Sequence, residues 1–346
     1  FLQNICMDYP SHFLECWKFE LVLPFQNNHN NIGTYQTIVN TIHRFLPMAP
    51  ISLAIDNEQL SNTTIIQDIA QILSQTDHSP DSISLYLHDI VHKQLTEDID
   101  YQQFRHMVFK QVTALHSVLR QLGVFCPPID LQQWYALSGF VTAESNSFYR
   151  CALFLDEMIY LPCDVVVHVG FWLNTYLHEA ATDSNRFDIL SLYLFDTLKR
   201  PLYFALCFLD MLYKNIVERQ EYLLCSRSNN GDISILILNP CYFDPAKASE
   251  RIFTDSQRRV FDLHISGLSG SKVIEYYHIN NRKSSLYDHW ANMGFPSLLN
   301  RNVVNQLRQL IHMDYTVRNE TLSGFYDLSL ALSFNEAVLV RISNKN

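Results

Sequence analysis

Hydrophobic and polar positions follow one grammar up to about residue 216 and another beyond it. In the first part, short apolar runs alternate with amphipathic stretches of helical period. Cys16-Trp17-Lys18-Phe19-Glu20-Leu21-Val22-Leu23 ends at Pro24, Pro50 to Ile55 ends in Asp56-Asn57-Glu58, and further runs cover Ser82 to His88, Ile129 to Tyr135 and Val165 to Trp172. Runs of this length and composition predict buried strands. Helices are expected over Phe1 to about Phe13, Thr34 to Phe45, Ser61 or Asn62 to about Ser74, Tyr101 to Gly123, Phe148 to Tyr160, and Arg200 to Leu212. Asn62 is a natural N-cap and Gly123 a natural C-cap. Five strand-helix repeats predict parallel strands, the unit of an α/β barrel, whose chemistry gathers at the carboxyl ends of the strands.

Beyond about Val217 the runs shorten, with turn signals such as Asn229-Asn230-Gly231 and Gly267 to Ser271 between them. Strands are expected at Glu221 to Cys225, Ile233 to Leu238, Arg259 to Ile265 and Lys272 to His278. A segment with a helical piece follows from Ser285 to His312, and one or two closing strands lie within Tyr326 to Ile342. This is the pattern of antiparallel hairpins in a sandwich. The domains are therefore expected at 1-216 and 217-346.

Composition narrows the function. A chain of 346 residues, 48% hydrophobic and 17% charged, has ample apolar material for a folded core. Its net charge of -10 argues against a dedicated polyanion binder, so any DNA contact is expected outside this chain. The 8 cysteines stand singly with no CxxC pair, which suits buried thiols in a reducing compartment better than disulfides or zinc. No apolar run reaches the roughly 18 residues of a membrane span, and no signal-peptide pattern is visible, so a cytoplasmic protein without membrane partners is expected.

Specific residues carry a resemblance. Arg200-Pro201-Leu202-Tyr203-Phe204-Ala205, Phe208-Leu209 and Leu212, followed by Glu221-Tyr222-Leu223, Gly231-Asp232-Ile233, Ile235-Leu236 and Asn239, look like the barrel-to-sandwich junction of glycoside hydrolase family 39. Ser285-Leu286-Tyr287-Asp288-His289-Trp290 with Met293-Gly294 and Pro296 resembles that family's sandwich segment. The likeness is to versions fused behind AraC-type DNA-binding domains. It implies an α/β fold, a partial or degenerate TIM-type β/α barrel comprising the family's strands four to eight, followed by an antiparallel β-sandwich. The first three barrel strands have no counterpart here, so a fragment of a longer protein is expected.

The resemblance also locates the catalytic positions. The family's acid/base glutamate lies a few residues after a Phe-Glu pair. Here Phe19-Glu20 is followed by Val22-Leu23-Pro24-Phe25, and Pro24 takes the acid position. The nucleophile position, in Gln132-Gln133-Trp134-Tyr135, falls on Gln133, and the family's His-Ala-Tyr run falls on Tyr86-Leu87-His88. Retaining glycosidases need two carboxyl groups about 5 Å apart, and a glutamine cannot replace either. A pseudoenzyme with no catalytic residues is the resulting expectation.

Tyr86, His88, Gln133, Trp134, Tyr135, Trp172 and Asn174 are the candidate ligand-binding residues. The aromatic rings among them either stack on a sugar or simply fill the barrel mouth. Glu20 is expected to be a buried structural carboxylate, although it also has the chemistry of an acid. His168, inside an apolar strand, is expected to be a satisfied core histidine. His88, Asp89 and His92, and separately His178 and Glu179, have the residue types of a metal site but no third ligand at supporting spacing, so loop positions are expected and neither metal nor cofactor. Three functions remain open: a non-catalytic sensor of a sugar or other small effector, or a dimerising module, whose helix-turn-helix partner domain lies elsewhere; a xylosidase-like enzyme with displaced carboxylates such as Glu20, Asp56 or Glu58; and a protein-binding scaffold.

Overall fold

The computed structural model describes residues 2–9, 11–14, 17–25, 30–87, 100–132, 149–162, 164–170, 172–175, 191–194, 197–243, 247, 250–297 and 300–345. Of residues 11, 12, 149, 150, 172–175, 191 and 251 it describes the backbone alone. Two compact units result. The first comprises Phe1–His88, Met107–Ala136 and Leu161–Phe171, and the second Asp89–His106, Leu137–Tyr160 and Trp172–Asn346. The position near residue 216 where the sequence grammar changes falls inside the second unit.

The first unit begins with helices α1 (Leu2–Asp8) and α2 (Ser11–Leu14) and strand β1 (Phe19–Val22), then α3 (Asn31–Phe45), β2 (Ile51–Asp56), α4 (Thr63–Gln75), β3 (Ser82–Tyr86), α5 (Met107–Gln121), β4 (Ile129–Gln132) and β5 (Val166–Val169). The strands form one parallel sheet in chain order. The caps follow the local chemistry: Asn30 Oδ1 accepts from Gly33 N at 2.8 Å and Asn62 Oδ1 from Thr64 N at 3.0 Å, each satisfying an orphan amide of the first turn.

Side chains in this sheet alternate with the pleat. Leu21, Ile51, Leu53, Ile55, Ile83, Leu85, Ile129 and Leu131 are buried on one face. Buried stripes on the helices complete the core at helical spacing: Tyr35, Val39 and Ile42 on α3, Ile66, Ile69 and Ala70 on α4, and Val108, Val112, Leu115 and Leu119 on α5. Each fully buried aliphatic side chain contributes about 1.5–3 kcal/mol. The opposite face of the sheet is mostly polar, with Val22 and Ala54 as apolar positions on it.

Two expected elements of this region differ. The helix expected over Tyr101 to Gly123 is a 3-10 turn, Tyr101–Phe104, and then α5. His106, at φ 55, stands between them in a left-handed conformation that no helix continues through. The strand expected from Val165 to Trp172 ends at Val169, and Trp172 begins β6 (Trp172–Thr175) of another sheet.

In the second unit, α6 (Tyr149–Tyr160) precedes β6, β7 (Ser191–Leu194) and β8 (Leu198–Lys199), which form a three-stranded sheet. Helix α7 (Pro201–Asp210) starts with proline at its first position, where the missing N–H costs nothing, and packs against α6. Buried Asp156 of α6 takes Arg105 Nε at 3.1 Å and Tyr242 Oη at 3.2 Å, while Arg105 Nη1 also holds Glu221 at 2.6 Å. Arg105 and Arg259 each stand over the Tyr222 ring, at 4.9 and 3.9 Å.

Strands β9 (Asn215–Gln220), β10 (Leu223–Arg227), β11 (Ile233–Leu238), β12 (Arg259–Ile279), β13 (Asp314–Leu332) and β14 (Ala337–Asn344) form a six-stranded antiparallel sheet ordered β13-β12-β14-β11-β10-β9. Helices α8 (Arg251–Ser256), α9 (Leu286–Asn292) and α10 (Arg301–Leu310) lie in its connections. The two strands expected at Arg259 to Ile265 and Lys272 to His278 are one strand. The intervening glycines are a bend: Gly267 and Gly270 have φ of 80° and 81°, and the pairing with β13 shifts between Ser266 and Leu268. Of β12, only Lys272 to Ile279 pair with β14, so Arg259 to Ser271 and its β13 partner extend beyond it as an arm. Leu328 and Leu332 of the arm share a core with Ile235, Ile237, Val338 and Val340 of the sheet. What the described residues show of the expected antiparallel sandwich is one six-stranded antiparallel sheet with this shared core.

A polar face on the parallel sheet

The residues that alternate with the apolar face of the parallel sheet are Glu20, Ser52, Ser82, Ser84, Tyr86, Asp130, Gln132 and His168, set in register by β1 to β5. Asp130, only 3% exposed, is their hub. It accepts hydrogen bonds from Lys18 Nζ, from Ser82 Oγ at 2.8 Å and from His168 Nδ1 at 2.7 Å. Burial pushes its carboxyl up, and the bonds from Lys18, His168 and Ser82 with the Lys18 charge outweigh that, holding it below its ordinary value. An ionised carboxylate only accepts, so His168 Nδ1 carries the proton in this contact. A serine cluster continues the network: Ser82 Oγ lies 3.0 Å from Ser52 Oγ, which lies 2.7 Å from Ser84 Oγ.

Nearer the carboxyl end of the strands, Tyr86 Oη donates to Glu20 Oε1. Burial raises the Tyr86 hydroxyl, and the hydrogen bond to Glu20 and its charge raise it further, to about 12. Gln132, the last residue of β4, lies against Gly170. A β-carbon on Gly170 would stand 2.5 Å from Gln132 Oε1, so glycine is what lets the amide lie there. Asp56, at the end of β2, caps the turn that follows, accepting from Glu58 N at 2.9 Å while Gln59 Oε1 accepts from its own N–H at 3.0 Å.

Of the candidate residues, the structure places Tyr86 on this polar face. His88, Gln133, Trp134 and Tyr135 lie outside the described residues, as do Asp89, His92, His178 and Glu179. Trp172 and Asn174 are described in backbone only, in β6 opposite Ser191 and Tyr193. Pro24 is exposed just past the end of β1. Two expectations are corrected. Glu20 is exposed and bonded to Tyr86, because its strand position faces away from the apolar core. His168 is no core histidine: its side chain is 76% exposed, and β5 turns it to the polar face, where it meets Asp130. Among the described residues, no group of three metal-ligating side chains comes together.

The sequence carried a signal for the residues that were missed. Ile51-Ser52-Leu53, Ser82-Ile83-Ser84-Leu85 and Ile129-Asp130-Leu131-Gln132 place a polar residue at every second position of an otherwise apolar strand. Their common period marks a shared polar face. Chemically, this face offers hydroxyl, amide, imidazole and carboxylate groups for hydrogen bonding. Its best-positioned carboxylate, Asp130, is saturated with donors and remains ionised.

A parallel sheet with a polar face, followed by a six-stranded antiparallel sheet, defines a glycoside-hydrolase-like α/β fold. Its solved neighbours include a monomeric beta-xylosidase from Caulobacter crescentus CB15, at TM-score 0.72 and 14% identity over 100% of this chain and 73% of that one. The GH39 enzyme from Xanthomonas axonopodis pv. citri matches at TM-score 0.69 and 14% identity, over 99% and 71%. A glucosidase from Croceicoccus marinus matches at TM-score 0.60 and 13% identity, over 100% and 73%. No family model and no curated protein matches the sequence. The resemblance to family 39 therefore holds at the level of the fold, with five parallel strands in one sheet among the described residues.

Proposed function

We propose that the chain is a non-hydrolytic, glycosidase-like module that binds a sugar or other small effector on the polar face of the parallel sheet. The observation that carries this reading is at the exit of β1, where exposed Pro24 stands in the position that the resemblance gives to the acid/base glutamate. The nucleophile position is Gln133. Asp130 does not substitute for the acid, since a carboxyl held below its ordinary value is a poor proton donor near neutral pH, nor for the nucleophile, since its buried oxygens are taken up by Lys18, Ser82 and His168. What remains accessible for hydrogen-bonding a ligand are Glu20, Tyr86, Gln132 and His168, held in place by the buried Asp130 and serine network. The likeness to regulators extends the proposal: a cytoplasmic, dimeric AraC-type protein whose helix-turn-helix units, outside this chain, meet paired DNA half-sites.

A panel of pentoses and xylo-oligosaccharides in a thermal-shift assay tests the binding. A specific ligand raises stability by mass action, and a pure scaffold shows no response. Purified protein is expected not to turn over aryl β-xylosides. One observation favours the competing enzyme reading: Glu20 is exposed and hydrogen-bonded to Tyr86. Turnover that disappears in Glu20→Gln would establish that reading and end this one.

A further inference from the structure

The six-stranded sheet contains a cavity of about 250 Å³ where β13 bends back over it. The register of β12 with β13 puts Tyr276 opposite Thr316 and His278 opposite Asp314, with Arg318 two residues beyond Thr316 on the same face. The arm closes the cavity from above with Tyr326, Leu328 and Leu330. Its apolar lining includes Leu328 and Val338, both members of the buried core. Tyr276 and Tyr326 join their hydroxyls across the cleft, and Arg318 Cζ stands 5.5 Å from the centre of the Tyr276 ring.

The charges around this space are mostly matched. Lys283 Nζ holds Asp314 Oδ1 at 2.6 Å, His264 Nδ1 holds Asp327 Oδ1 at 2.6 Å, and His278 Nε2 lies 3.2 Å from Glu336 Oε2. The Lys283 hydrogen bond holds Asp314 below its ordinary value, so that pair stays charged and mutually neutral. Arg318 is different: its cation faces a ring, exposed at the cleft, and a planar guanidinium is suited to bidentate capture of a carboxylate.

From this geometry we infer a second binding site, for a small organic carboxylate of one ring. Its body lies between Tyr276 and the Leu328 and Leu330 side chains, and its carboxylate meets Arg318. The volume lies just under the roughly 300 Å³ at which small-molecule sites usually begin, which limits the ligand to about one ring. Aromatic acids and sugar acids share this chemistry. The site lies entirely within the second unit and does not depend on the effector proposed for the parallel sheet.

Calorimetric titration of the full chain with benzoate, glucuronate and, as an uncharged control, glucose tests the inference. One or both acids are expected to bind and glucose not to, and which acid binds tells the two sources apart. Arg318→Gln, an exposed strand position whose replacement spares the core, is expected to weaken the acid by roughly tenfold or more, the loss of one charge-assisted pair. Tyr86→Phe is expected to leave acid binding unchanged, which separates this site from the polar face of the parallel sheet. Absence of binding by both acids, glucose binding that Arg318→Gln weakens as much as it weakens the acids, or unchanged acid affinity in Arg318→Gln overturns the inference.

Discussion

Replacing Asp130 by asparagine keeps its shape and removes its charge, which makes it the sharpest probe of the polar face. In the native arrangement the carboxylate accepts from Lys18, from Ser82 at 2.8 Å and from His168 at 2.7 Å. Hydrogen bonds to a charged group contribute about 1.5–3 kcal/mol each when fully buried. Here two donors are partly solvated, with side chains 37% exposed for Lys18 and 76% for His168, and water replaces much of what they lose. Asparagine also keeps one acceptor oxygen, and its amide hydrogens face donors. The expected net loss is about 2–3 kcal/mol, well below the sum of three bonds. The pH dependence adds a second check. The folded-state pKa of Asp130 is depressed, so its stabilisation is present above the unfolded-state value of about 3.9 and is lost as pH falls through the lower folded value. Urea titrations followed by circular dichroism should therefore show a constant gap between native protein and Asp130→Asn from pH 8 to about 5, narrowing below about 4. A gap under about 1 kcal/mol at neutral pH, or one that widens in acid, refutes the assignment of Asp130 as an ionised hub.

Other substitutions test neighbouring features. Asn62→Ala removes the cap on α4 and should cost about 1 kcal/mol in urea denaturation, because two amides of the first turn lose their acceptor. Gly267→Ala meets no neighbouring atom, so its cost, about 1–2 kcal/mol, should come from the positive φ alone. Tyr86→Phe breaks a partly exposed hydrogen bond to Glu20 and should change stability by less than about 1 kcal/mol, while weakening any ligand of the polar face in the same titrations.

The apolar face of the parallel sheet was legible because burial there is nearly continuous. Five runs of aliphatic residues, separated by amphipathic stretches, admit few arrangements other than parallel strands between helices. Boundaries were less legible where one residue changes the backbone. His106 interrupts an amphipathic pattern that continues unbroken through it, since periodicity records which side chains face the core and says nothing of a left-handed φ. At Gly267 and Gly270 the opposite happened. Glycine and serine signalled a turn between two strands, and the chain instead uses them to bend a single 21-residue strand, whose partner β13 bends with it at Gly324. Local residue preference is the same for both outcomes. Only the long-range pairing with β13 selects between them, and no short window of sequence contains it.

The functional residues were hidden for a related reason. An apolar strand context places His168 in the interior, and a lone carboxylate in such a strand reads as a buried, paired one at Glu20. Within a strand, however, immediate neighbours point to the opposite face, so an apolar setting in sequence is what a residue on the polar face must have. The informative neighbours are two residues away and across the ladder: Asp130 opposite His168, Ser84 opposite Asp130, and Ser52 opposite Ser82. Judged by those partners, the parallel sheet has one face built for packing and another for hydrogen bonding. On the non-hydrolytic reading proposed above, Pro24 and Gln133 stand at the family's proton-handling positions, and the second face is what a ligand would meet. That face presents the Tyr86 hydroxyl, the Glu20 carboxylate, the Gln132 amide and an imidazole oriented by buried Asp130. Recognition of a polar ligand needs only such fixed partners, whereas cleavage needs a group that can give up its proton near neutral pH.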